Sequence, residues 1–68
     1  MALSARNQLP GIVEEVQTGS IMAQVVVKVG DSLIESVITR TSAEELKLKK
    51  GDHVRVVVKS TEVMIQKD

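Results

Sequence analysis

Apolar and polar residues alternate along most of this chain, and the alternation divides it into short strands. From Gln8 to Gln17, Ile12, Val13 and Val16 stand among polar neighbours and predict a first strand. Pro10-Gly11 predicts an edge position or a bulge near its start. Thr18-Gly19-Ser20 reads as a turn. The clearest pattern runs from Ile21 to Val29, where Ile21, Ala23, Val25, Val27 and Val29 share one face. Met22, Gln24, Val26 and Lys28 share the other, and Met22 and Val26 are apolar as well. A strand apolar on one face and half apolar on the other predicts burial against a second subunit. Gly30-Asp31 with Ser32 then predicts a hairpin turn into a third strand, Leu33 to Thr39.

The period changes next. Ser42-Ala43-Glu44-Glu45 matches a capping box, with Ser42 as N-cap, and predicts a short helix to about Leu48 that buries Leu46 and Leu48. Lys47, Lys49 and Lys50 fall at its negative end, and Gly51 suits the position past its C-terminus. Alternation resumes from His53 to Lys59, stops at Ser60-Thr61, and returns as a fifth strand carrying Val63 and Ile65. The fold class is therefore all-β with small α content: five strands, with one short helix between the third and fourth. That is the element order of an OB-fold barrel. Strand counting alone leaves a five-stranded SH3-like barrel open.

Sixty-eight residues predict one domain, spanning 1–68. A core this small buries a modest share of its surface and needs support from disulfides, a metal or oligomerisation. There is no cysteine, a single histidine, and no Phe, Trp or Tyr. Disulfides and thiolate metal sites are thereby excluded, and oligomerisation is the expected support. Nine basic residues balance nine acidic ones. With no basic excess and no aromatic platform, nucleic acid is not an expected partner. No apolar run approaches the roughly 20 residues of a membrane span, and the N-terminus carries no apolar signal core, so the expected location is the cytoplasm. No nucleophile–base pair stands out for catalysis. His53 falls on the more polar face of its strand, and the side chains of Glu14-Glu15 and of Glu44-Glu45 diverge into solvent.

Three strings carry a resemblance. Ser4-Ala5-Arg6-Asn7-Gln8-Leu9-Pro10-Gly11, Ile38-Thr39-Arg40-Thr41-Ser42 and Val58-Lys59-Ser60-Thr61-Glu62-Val63-Met64-Ile65 resemble the molbindins, small TOBE-like proteins that bind the molybdate oxyanion. The likeness covers nearly the whole chain and favours the OB-like fold. It implies a cytoplasmic homo-oligomer, a hexamer built as a trimer of dimers, that stores molybdate or tungstate as its ligand without a cofactor and without catalysis. It also implies an anion site shared between subunits, with Ser4, Arg6, Lys59 and Ser60 from one chain and Thr39 and Ser42 from its neighbour. Many relatives have Ala in place of Ser60. The Gly19-Ser20 turn is a candidate for a second anion site. The alternative function is an interaction module that senses the anion or binds a protein partner.

The residue types suit the chemistry. A fully deprotonated tetrahedral oxyanion only accepts hydrogen bonds, so it needs N–H and O–H donors and positive charge. None of the six implied residues is a carboxylate. Such a shell favours a dianion over partly protonated phosphate.

Overall fold

The computed structural model describes residues 5–68. Four strands, β1 (Asn7–Thr18), β2 (Met22–Val29), β3 (Ser32–Thr39) and β4 (His53–Val58), form one antiparallel sheet in the order β3-β2-β1-β4. The helix α1 (Arg40–Glu45) lies in the connection that carries the chain from the β3 edge to the β4 edge. A 3-10 turn, Ser60–Glu62, follows β4. The sequence predicted five strands; residues 63–68 form none, and the sheet stays open between β3 and β4.

The β2–β3 hairpin is regular from Met22↔Thr39 to Val29↔Ser32. Its two-residue turn places Gly30 at φ 59°, a conformation that glycine adopts without cost. β1 is different, because it changes partner along its length. Its first half pairs with β4, from Asn7↔Val58 to Ile12↔His53, and its second half pairs with β2, from Ile12↔Lys28 to Thr18↔Ala23. Pro10 falls in the half that pairs only with β4, so one side of the strand there is a local edge that tolerates the missing N–H. The bulge itself lies further on, at Glu14, where Val13↔Val27 is followed by Glu15↔Val26. The loop before β4 satisfies the backbone at this irregularity: Val13 donates its N–H to the Asp52 carbonyl (2.9 Å) and accepts from the Gly51 N–H (2.8 Å).

At Gly11, β1 packs tightly against β2. A Cβ there would lie 2.7 Å from the Lys28 carbonyl oxygen and 2.7 Å from Val27 Cγ1. One of those atoms is backbone and the other belongs to a core side chain, so neither can easily yield. Gly11→Ala will therefore destabilise the fold by about 1–3 kcal/mol. A thermal melt checks this, and an unchanged midpoint would show that the sheet relaxes freely.

The core is small and aliphatic. Val13, Ala23, Val25, Val27 and Ala43 are buried. Val16, Val29, Ile38, Leu48, Val54 and Val56 pack around the valines as half-buried neighbours. The period-2 face of β2 is thus the core face from Ala23 onward, but Ile21 precedes the strand and is 74% exposed. The opposite face is not bare, since Val26 is half-buried.

The helix departs from its expected position. Its N-cap is Thr39, whose side-chain oxygen accepts the Ser42 N–H at 3.0 Å, so Ser42 lies inside the helix and not at its cap. The hairpin delivers Thr39 in extended backbone right at the end of β3, where it can cap before Ser42 is reached. The helix therefore starts and ends earlier than the pattern predicted. It buries Ala43, and Leu46 at its C-cap is 66% exposed. Lys47, at φ 53°, takes the left-handed position that was expected of Gly51. Gly51, at φ 95°, serves the turn into β4.

Candidate functional site

The residues implied in anion binding fall into two groups. Asn7 pairs with Val58, so Arg6 and Lys59 are the next residues outward beyond neighbouring strands of one chain. Strands in a sheet lie about 4.8 Å apart, which places these two side chains beside one another at one end of β1. Lys59 is the N-cap residue of the 3-10 turn but makes no side-chain capping bond. Its carbonyl accepts the Glu62 N–H (2.9 Å), and that of Ser60 accepts from Val63 (3.5 Å). Among the described residues, the ion pairs are Arg40–Glu44 and Lys49–Asp52, so neither Arg6 nor Lys59 is neutralised by a carboxylate. Ser60 follows in the same exposed turn. Ser4 lies outside the described residues.

Thr39 and Ser42 form the second group. The Thr39 hydroxyl accepts the Ser42 N–H and donates to Ser42 Oγ at 2.8 Å. Ser42 Oγ is thus held as an acceptor, and its own O–H has no partner among the described hydrogen bonds, so it remains available as a donor. The helix has only six residues, so its dipole adds little; the two hydroxyls carry this end. Arg40 stands between them, a cation that the sequence reading passed over although it lies within the Ile38–Ser42 string. Its Nε lies 3.3 Å from Glu44, an exposed pairing worth little. The Gly19-Ser20 turn is close by, since the Arg40 N–H donates to the Ile21 carbonyl (2.7 Å). The Gly19 N–H is already spent on the Met22 carbonyl (2.7 Å).

These groups do not meet within one chain. The Arg6–Lys59 pair sits at the start of β1. Thr39 pairs with Met22, at the end of β2 that lies beside Thr18, the end of β1. The 12 residues of β1 separate them. At roughly 3.3 Å per residue that strand is about 36 Å long when straight, with one bulge at Glu14 along it. Hydrogen bonds to one small anion reach about 3 Å, so one copy cannot close both groups around it.

Elsewhere the surface offers less. His53 is exposed on β4 and lines an open cleft with Pro10, Gly11, Lys28 and Arg55. Among the described residues, no three His, Cys, Asp or Glu side chains are grouped as metal ligands would be. No helix there is long and apolar enough to cross a membrane.

An open OB-like sheet with cationic and hydroxyl-bearing rims defines a small β-domain of the ligand-binding kind. The chain belongs to the TOBE domain family, whose model matches residues 3–65. It is 47% identical over 66 residues to molybdenum-pterin-binding protein 1 of Clostridium pasteurianum, covering 96% of this chain and 97% of that protein. Among solved structures, a molybdate binding protein from Sporomusa ovata superimposes with a TM-score of 0.94 at 36% identity, covering 98% of this chain and all of that one. MopII from Clostridium pasteurianum gives a TM-score of 0.89 at 45% identity, over 97% of this chain and all of its own. These likenesses establish the OB-like fold of the molbindins for this chain, with four strands in place of the expected five.

Proposed function

We propose that this chain binds molybdate, or tungstate, as a storage protein of the cytoplasm, with no catalytic step. The site lies between copies of the chain. Arg6, Lys59 and Ser60, with Ser4 ahead of them, come from one copy, and Thr39 and Ser42 from another. The observation that carries this reading is the separation of the two donor groups to opposite ends of β1. Two cations without carboxylate partners at one end, and a free hydroxyl donor at the other, make sense together only when a second copy is present. The names of the matched proteins, molybdenum-pterin-binding and molybdate binding, supply the anion. The assembly is a closed homo-oligomer, a hexamer on the family resemblance.

The donor set also speaks to selectivity. With no carboxylate among the six residues, the shell lacks a strong acceptor for the proton that phosphate keeps at neutral pH. Calorimetric titration of anion-free protein with molybdate tests the reading, repeated in excess phosphate and in excess sulfate. Binding that survives both competitors is the expected result. No heat with molybdate would refute it, and loss of the signal in sulfate would refute the selectivity.

A further inference from the structure

We propose that the open cleft on the outer face of the sheet is a second ligand site, and that it takes a hydroxylated phosphomonoester of the sugar phosphate kind. Register builds the cleft. Ile12 pairs with Lys28 on β2 and with His53 on β4, so Lys28, Ile12 and His53 form one row across three strands. Directly opposed residues of antiparallel strands point to the same face. Val13 and Val27, one residue along, are buried in the core, so this row faces away from it. Pro10 pairs with Arg55, two residues further on each strand, and shares that outer face. Lys28, His53 and Arg55 are exposed, and they line one cleft of about 750 Å³ together with Ile12, Pro10 and Glu14. That volume falls within the roughly 300–1,000 Å³ of small-molecule sites.

The lining selects the ligand. Among the described residues, neither Lys28 nor Arg55 is in an ion pair. Arg55 donates from Nη1 to Gln8 Oε1 at 3.2 Å, a neutral partner that steadies the guanidinium without cancelling its charge. A guanidinium carries five N–H donors, so Arg55 keeps a fork for a phosphoryl group. Lys28 adds an ammonium on a long stem, and the His53 ring offers an N–H donor in either protonation state. Lys28 and His53 flank Ile12 at about 4.8 Å on either side, and Arg55 lies about 7 Å beyond His53. Long side chains at those spacings can close on one phosphoryl group. Glu14 sets the cleft apart from the proposed molybdate site, whose six residues include no carboxylate. A carboxylate repels a bare oxyanion but accepts from hydroxyl groups, so the ligand carries hydroxyls beside its phosphate. Ile12 and Pro10 offer apolar surface to its carbon skeleton. The chain has no Phe, Trp or Tyr to stack on a base, which favours a sugar phosphate over a nucleotide.

The test uses the full chain at low salt and glucose 6-phosphate as the probe, with inorganic phosphate and glucose as separate arms. Backbone amide signals followed by NMR should move saturably at Ile12, Lys28, His53 and Arg55 with glucose 6-phosphate, less tightly with phosphate, and not with glucose. Lys28→Gln and Arg55→Gln should each weaken binding of the sugar phosphate about tenfold, the loss of one charge-assisted bond, with melts like the parent's. Glu14→Gln should bring the affinities for glucose 6-phosphate and phosphate together. Lys59→Ala, aimed at the proposed molybdate site, should leave glucose 6-phosphate binding unchanged, which keeps the two sites distinguishable. No saturable shift at millimolar glucose 6-phosphate, or unchanged affinity in both Lys28→Gln and Arg55→Gln, overturns the site. Loss of binding in Lys59→Ala overturns it as well, since the phosphate would then occupy the molybdate site. Phosphate binding as tightly as glucose 6-phosphate in the parent overturns the choice of a sugar phosphate.

Discussion

Val13→Asp will abolish cooperative folding. Val13 is 1% exposed and packs with Val25 and Val27 at the centre of the core. Its backbone is fixed on both sides by Gly51 and Asp52, so the side chain cannot swing out without breaking the ties that hold the loop before β4 to the β1 bulge. Arg55 lines the cleft beside this position, but its guanidinium already donates to Gln8 Oε1 at 3.2 Å, so a buried carboxylate gains no dedicated partner. An uncompensated charge at such a site costs several kcal/mol. A core of this size supplies only about 3–5 kcal/mol. The cost therefore matches or exceeds the whole stability. Circular dichroism on heating will show no sigmoidal transition for the variant. A sharp melt near that of the parent would mean that the bulge can turn the side chain outward, contrary to the packing described.

Lys59→Ala will leave the melt almost unchanged and lower molybdate affinity at least tenfold. Among the described residues, Lys59 has no carboxylate partner and no capping bond to lose, and it lies past the end of β4. Its removal costs the fold little. A hydrogen bond to a charged group contributes about 1.5–3 kcal/mol. At 1.4 kcal/mol per tenfold, its loss corresponds to roughly tenfold to a hundredfold in affinity. Arg6→Ala should act in the same direction, because the proposed site puts the adjacent cation on the same anion. Parent-like affinity in both variants, measured by calorimetry, would remove this end of β1 from the proposed site.

Much of the sheet was legible in the sequence because period-2 patterning is read directly from side-chain type. Ala23, Val25 and Val27 were placed on the core face of β2, and they are buried. The Gly30-Asp31 turn was legible because a two-residue hairpin turn of this kind requires glycine chemistry. What failed depended on geometry that no single string encodes. Thr39 and Ser42 are equally good capping residues, and the end of β3 decides between them. Gly51 carried the glycine signal for a helix stop, yet Lys47 adopts the left-handed conformation because the helix ends a turn sooner. Val63 and Ile65 have the alternation of a strand, but no edge of the sheet pairs with them in this structure. Of the candidate site, the donor types were evident from the strings. Their division between two ends of β1 follows from register, which only the fold displays.

That division fixes a stoichiometry. Each chain holds one Arg6–Lys59 end and one Thr39–Ser42 end. On the proposed site, every end of one kind in a closed assembly meets one of the other, whether two copies exchange ends reciprocally or several follow one another around a ring. The number of such sites then equals the number of chains, and none is left half-built. A single detached subunit, by contrast, would carry two halves and no whole. Anion uptake and subunit assembly would then be two readings of one equilibrium, each strengthening the other by mass action.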